Sequence, residues 1–157
     1  MISMIDYEER LQSLGLSLPP PPRPVAAYVP VVRSGNLLFL SGMIPLVDGE
    51  LPLQGKVGKA LTLEQGEEAT RIALRNALAV IQAECGSLNR VEQIIRIAVH
   101  VASAEGFTQQ SIVANAASEL LIQIFGAAGR HARLALGAPV LPLDSPVELE
   151  MIVQVTG

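Results

Sequence analysis

The chain lacks tryptophan, has only three phenylalanines and two tyrosines, and contains a single cysteine among its 157 residues. A lone cysteine cannot form an internal disulfide, so we expect a reducing, cytoplasmic compartment. Basic residues are also few. The chain has 11 Lys and Arg against 15 Asp and Glu, which gives a net charge of −4. Without a clustered basic surface, the sequence is not typical of a nucleic-acid-binding protein.

Long apolar runs are missing too, and none approaches the roughly 18 uninterrupted residues of a membrane-spanning helix. The acidic N-terminus has no basic leader before an apolar segment, so we expect neither a signal peptide nor a membrane partner. Half of the residues are nevertheless hydrophobic, and the mean hydropathy is +0.41. We interpret this excess as contacts buried between subunits of a one-domain protein.

Residues 1–23 are predicted to form an N-terminal arm. Residues 6–15 have the apolar spacing of a short helix. The four prolines at 19–22 prevent a helix and favour a polyproline II segment. The remaining residues, 24–157, are predicted to form a single domain.

Alternation and capping patterns predict the elements of that domain. They are a hairpin that starts at Val25 and turns at Gly35-Asn36, a helix from the Thr62 capping box to about Cys85, a strand at 94–103, a helix at about 108–125, and strands at about 132–136 and 147–155. This order predicts an α+β fold with two helices packed on one face of a mixed β-sheet.

The sheet face away from the helices is predicted to be half polar. In the strand at 94–103, simple alternation places Ile95 and Ile97 on the helix side. The other side of this strand and of the last strand carries Arg96, His100, Glu148, Glu150 and Ile152. Such a face suits neither a dry core nor plain solvent, which favours subunit packing around partly wet sites.

Arg133 and Glu148 belong to the last two predicted strands. If these strands pair as an antiparallel hairpin, both side chains could face one cleft. The planar guanidinium binds a carboxylate at two points, and a glutamate near it could orient or deprotonate a water. From the pattern alone, a cross-strand salt bridge on a solvated face is the favoured interpretation.

Other candidate residues have simple structural interpretations. Ser41-Gly42 ends a strand and could bind an oxyanion, although a turn is the commoner role of such a pair. Tyr28 is expected to be half buried in a strand. His131 lies beside two arginines with no third ligand at metal spacing, so no zinc site is predicted. Cys85 closes a helix, where a thiol is normally inert packing.

Three motifs follow one another along residues 24–155: YVPVVRSGNLLFLSGMIP, ARLALG and VELEMIV. In the first, Ser41 follows Tyr28 at an interval of 13 positions, and in the other two Glu148 follows Arg133 at an interval of 15. In order and spacing they resemble the reactive intermediate deaminase (Rid, or YjgF-like) family, which also bears the label endoribonuclease L-PSP.

This resemblance implies a chorismate-mutase-like α+β fold, assembled as a homotrimer with one ligand site in each cleft between subunits. Family members hydrolyse small 2-imino or enamine acids to 2-keto acids and ammonia, and they need no cofactor or metal. By position, Arg133 would hold the carboxylate and Glu148 would position or activate the water. Ser41 and the Gly42 amide would contact ligand or water, and Tyr28 would line the cleft from a neighbouring chain.

Other positions refine the resemblance. Asn76 and Asn115 stand where family asparagines are expected. Met43 and Ala135 replace a Gln and a Cys that are common in the family, which predicts a more apolar pocket. The N-terminal arm and the phrase FGAAGRHARLALG resemble a divergent branch.

The sequence leaves two other functions open. One is a non-catalytic protein that binds keto acids or other small carboxylates in the same clefts. The other is the endoribonuclease of the older family label, which the net charge of −4 disfavours. The choice between Glu148 and Glu150 as the cleft carboxylate, and the role of His131, are also open.

Overall fold

The structure is a computed structural model that describes residues 4–24 and 26–157. Within these residues the helices and strands follow one another as α1 (Tyr7–Ser13), β1 (Val31–Ser34), β2 (Leu37–Leu40), α2 (Leu63–Cys85), β3 (Val91–Ala102), α3 (Gln110–Phe125), β4 (Ala132–Ala138) and β5 (Val147–Val155). The α+β class and the order of elements predicted from the sequence are confirmed.

The strands form one sheet with the order β1-β2-β5-β3-β4. β3 pairs antiparallel with β5 and parallel with β4, so the sheet is mixed, as predicted. β4 and β5 do not pair as the hairpin that a shared Arg133–Glu148 cleft would require, because β3 lies between them. Alternate residues of β5 are fully buried, which suits the sheet centre, whereas β4 is exposed along most of its length and forms an edge.

The two long helices, α2 and α3, cover the same face of the sheet and bury its inward side chains. α2 begins at a capping box between Thr62 and Gln65, which is worth about 1 kcal/mol. It ends where Gly86 takes a left-handed φ of 82°. The stretch Gln110–Gly129 is long and apolar enough to cross a membrane, but half of its apolar window is buried inside the protein.

The first strand is shorter than the sequence predicted. Residues 26–28 form a bend, so β1 starts only at Val31 and Tyr28 lies outside it. Pro30 has no backbone N–H to donate to a strand ladder, which explains the late start. The predicted first residue, Val25, lies outside the described residues.

The third strand contains an irregularity that simple alternation misses. The pairing of β3 with β5 shifts register between Ile94 and Arg96. As a result Ile94 is fully buried on the helix side of the sheet. Simple alternation had predicted Ile95 on that side instead. Beyond this bulge, Ile97 and the following residues keep the predicted sides.

The helix α1 attaches the N-terminal arm to the domain. Asp6 caps the helix, and a hydrogen bond from the Asn89 side chain holds the pKa of its carboxyl below the usual value. The Glu8 carboxylate accepts hydrogen bonds from the Gln82 side chain and from the Leu88 N–H at 2.8 Å. The arm therefore contacts the C-terminal end of α2 and the residues that follow it.

Candidate functional site

Arg133 lies on the edge strand β4 and points towards α3. Its Nη1 donates to Asn115 Oδ1 at 2.7 Å and to Ser118 Oγ at 3.2 Å. Asn115 and Ser118 are three positions apart and share one side of the helix. Among the described residues no hydrogen bond engages the Nε–Nη2 edge of the guanidinium, which is the kind of edge that a carboxylate binds at two points.

Ser118 is held in turn by His131. Ser118 Oγ lies 2.9 Å from His131 Nε2, and His131 Nδ1 lies 2.6 Å from the Gly129 carbonyl oxygen. The sequence pattern predicted no role for His131 and did not indicate Ser118. The signal that could have found Ser118 is its spacing from Asn115, because two polar residues at i and i+3 mark one helix face.

Glu148 lies on the outward face of the sheet. Its cross-strand partner on β3 is His100. Its carboxylate rests against Gly42, so closely that a Cβ added to Gly42 would overlap Glu148 Oε1. Glu150 instead faces Arg96, with 3.8 Å between Nη1 and Oε1. Of the two glutamates, Glu148 is therefore the one beside the Ser-Gly strand end.

Ser41 fixes the segment that carries Tyr28. Its Oγ donates to the Val29 carbonyl at 2.6 Å, and its N–H donates to the Pro30 carbonyl at 2.9 Å. Because its hydroxyl proton is used inside the chain, Ser41 can only accept a further hydrogen bond. Tyr28 is 48% exposed and lines a small hollow together with Gly42, Pro22 of the arm and Pro24.

These residues form two half-sites on opposite faces of the sheet. Arg133 pairs in register with Ile97, which also pairs with Met151, and both of these core residues face the helices. Glu148 is three positions from Met151 on a regular strand, so it faces the other way. The interpretation in which one hairpin brings Arg133 and Glu148 into a cleft is therefore wrong.

We name the two groups of residues after the charged residue that each contains. The arginine half-site consists of Asn115, Ser118, His131 and Arg133 on the helix side. The glutamate half-site consists of Tyr28, Ser41, Gly42 and Glu148 around the outward face. Within one chain the sheet separates them.

Met43 lies in the core and also lines the hollow beside Tyr28 and Gly42, so its apolar contribution to a pocket stays a prediction. Its side chain is 5% exposed and belongs to the core, because the backbone of Met43 pairs with Leu149 on the helix side. Ala135 follows Arg133 on the same strand face and packs partly against the core. Burial raises the pKa of the Cys85 thiol, as suits a packing residue. Within 4–24 and 26–157, no group of three or more His, Cys, Asp or Glu could hold a metal ion.

Known proteins are similar to this chain in sequence or in architecture. Protein TCP17 of Trypanosoma cruzi is 39% identical over 92% of this chain and 91% of its own length. The crystal structure of Atu1372, a protein of unknown function from Agrobacterium tumefaciens, is 36% identical with a TM-score of 0.89, over 96% of this chain and 92% of that one. E. coli TdcF, solved with bound serine, has the same fold at 22% identity and a TM-score of 0.65, over 87% of this chain and 94% of that one.

A family model described as "YjgF/chorismate_mutase-like, putative endoribonuclease" matches residues 8–154. The match spans α1, all five strands and both long helices. It covers nearly the whole chain, and the motifs in the sequence pointed to the same family. The chain therefore belongs to the YjgF family, which is also called the Rid family.

Proposed function

We propose that this protein hydrolyses small 2-imino or enamine acids to 2-keto acids and ammonia in clefts between the subunits of a homotrimer. One chain contributes the arginine half-site, and its neighbour contributes the glutamate half-site. The observation that carries this proposal is the separation of Arg133 and Glu148 onto opposite faces of one sheet. Each half is built with its own supporting contacts, and only a second chain can complete a site.

In the proposed reaction, Arg133 binds the carboxylate of the imino acid and fixes the orientation of the neighbouring C=N carbon. Glu148 accepts a proton from a water as the water oxygen bonds to that carbon of the protonated imine, which gives a neutral tetrahedral amino alcohol. That proton passes to the nitrogen, the C–N bond breaks, and ammonia leaves as the hydroxyl gives its proton to Glu148 and the C=O bond forms. Ammonia or water then takes this proton from Glu148. No redox step occurs, and the proposal includes no cofactor or metal.

The contacts of the two half-sites and the ligand of one relative support the proposal. Among the described residues, the side-chain hydrogen bonds of Arg133 use Nη1 alone, so the Nε–Nη2 edge can take a carboxylate. Glu148 lies beside the Gly42 backbone, where a ligand can approach closely. TdcF was solved with bound serine, which is a small molecule with a carboxylate.

The proposed trimer is supported by apolar side chains on the outward face of the sheet. Val32 and Phe39 are 55% and 42% exposed there, and Leu134 and Leu136 are 39% and 45% exposed. A single chain leaves these residues in water, whereas subunit packing buries them. Sedimentation should give about three times the chain mass of 16.6 kDa. We place the trimer in the cytoplasm, where 2-imino acids leak from pyridoxal-phosphate dehydratases.

The direct test is the lifetime of an imino acid. A threonine dehydratase generates 2-iminobutanoate in situ, and we expect the purified protein to shorten its lifetime, which is followed by the appearance of 2-oxobutanoate. Heat-denatured protein is the control for non-specific effects. An unchanged lifetime for several imino acids, with the folded protein, would reject the deaminase function.

Two further measurements distinguish the alternative functions, carboxylate binding and RNA cleavage. If the imine lifetime is unchanged but calorimetry detects 2-oxobutanoate binding, the protein is a carboxylate-binding or regulatory member of the family. Ribonuclease activity that survives further purification and disappears in Arg133→Ala would favour the endoribonuclease function instead.

Replacing Gly42 by alanine should lower kcat for imine hydrolysis by about 10- to 100-fold, because the new Cβ displaces the Glu148 carboxylate. The carboxylate is the free end of a side chain, so the free energy of unfolding should fall by only about 1 kcal/mol. Gly35→Ala is the matched control, since the Cβ there enters open space in a turn with φ of 58°. Wild-type kcat in Gly42→Ala would contradict the role of Glu148.

A further inference from the structure

The contacts from Gly129 to Arg133 form a chain of hydrogen bonds whose direction is fixed when the His131 imidazole is neutral. The Gly129 carbonyl can only accept, so His131 Nδ1 carries the hydrogen and Nε2 of the neutral imidazole is an acceptor. Ser118 must then donate its one proton to Nε2, at 2.9 Å. The lone pairs of Ser118 Oγ are thereby left to accept from Arg133 Nη1.

We propose that Ser118 and His131 are positioning residues, which orient the Arg133 guanidinium for two-point binding of a carboxylate. This inference rests on the proposed function of Arg133. Among the described residues His131 makes no hydrogen bond to the guanidinium, so it acts through Ser118. The sequence alone left the role of His131 open, and the chain of hydrogen bonds supplies one.

The second contact to Nη1 matters because arginine on an exposed edge strand is otherwise mobile. A single hydrogen bond, from Nη1 to Asn115, leaves the guanidinium free to turn about that contact. The bond to Ser118 uses the other Nη1 hydrogen, and two acceptors one helical turn apart fix the guanidinium plane. The Nε–Nη2 edge then presents both N–H groups to one carboxylate without a further loss of rotamer entropy.

The first readout concerns the arginine itself and needs no ligand. In ¹⁵N-labelled protein, we expect slow rotation of the Arg133 guanidinium about its Nε–Cζ bond and a His131 imidazole protonated at Nδ1 alone. Ser118→Ala and His131→Phe should speed the rotation, and Ser118→Thr, which keeps a hydroxyl, should restore slow rotation. Alanine is favourable inside a helix, so Ser118→Ala should fold normally.

The second readout is affinity for 2-oxobutanoate, measured by calorimetry on the intact protein. Ser118→Ala should raise Kd about five- to tenfold, and KM for the imine should rise while kcat stays near that of the wild type. Ser118→Thr should keep the wild-type Kd. Arg133 rotation that is the same in wild type and Ser118→Ala would overturn the positioning role, whatever the ligand results. Slow rotation in the wild type without any 2-oxobutanoate binding or imine hydrolysis would instead reject the proposed function alone.

Discussion

Mixing Arg133→Ala chains with Glu148→Ala chains should restore about a quarter of the wild-type imine hydrolysis, although each variant alone loses it by about 100-fold or more. The expectation follows from the two faces of the sheet, because a cleft between chains combines Arg133 of one with Glu148 of the next. In a random equimolar mixture, roughly three quarters of the trimers contain both variants, and each of these has one intact cleft among three.

The mixed assemblies are obtained by co-expression or by unfolding and refolding the two variants together, and native mass spectrometry checks that they form. Each variant refolded with itself is the control and should stay inactive. If mixed trimers form but no activity returns, then Arg133 and Glu148 do not meet across a cleft between chains. An active Glu148→Ala variant on its own would show that this carboxylate is not needed for the reaction.

Local patterns in the sequence predicted the helices and strands well, because each pattern reflects short-range physics. The spacing of Thr62 and Gln65 is the capping box that opens α2, and Gly86 ends that helix with a positive φ. Alternating apolar residues marked β5, whose odd-numbered residues are buried. The bulge after Ile94 was not predicted, because an extra residue in a strand leaves no local pattern in the sequence.

Which strands are neighbours depends on contacts far apart in the chain, and this is where the sequence interpretation of the site failed. Arg133 and Glu148 are 15 positions apart and looked like partners in one hairpin. The insertion of β3 between their strands, and the opposite faces they occupy, could not be deduced from periodicity alone. The role of Ser118 was missed for a related reason, because its partner Arg133 lies on β4 and its partner His131 just before that strand.

Replacing Gly129 by alanine should give the largest loss of stability of any substitution considered, about 3 kcal/mol or more. Gly129 lies against α3, and a Cβ there would overlap the Leu121 carbonyl oxygen and approach its carbon to 2.7 Å and Ile122 Cα to 3.1 Å. These are backbone atoms of a helix, which cannot rotate away as a side chain can. For a domain of this size the melting temperature should fall by roughly 10 °C.

The matched control is Gly86→Ala, whose Cβ enters open space but whose φ of 82° is unfavourable for alanine. It should cost only about 1 kcal/mol, which isolates the backbone overlap as the cause at Gly129. Thermal unfolding of both variants measures the difference, and equal losses would contradict the overlap. Because the Gly129 carbonyl accepts from His131 Nδ1, any Gly129→Ala protein that still folds should also show faster Arg133 guanidinium rotation. Gly129, which lets the segment before β4 pack closely against α3, would then also help to set the orientation of the Arg133 guanidinium.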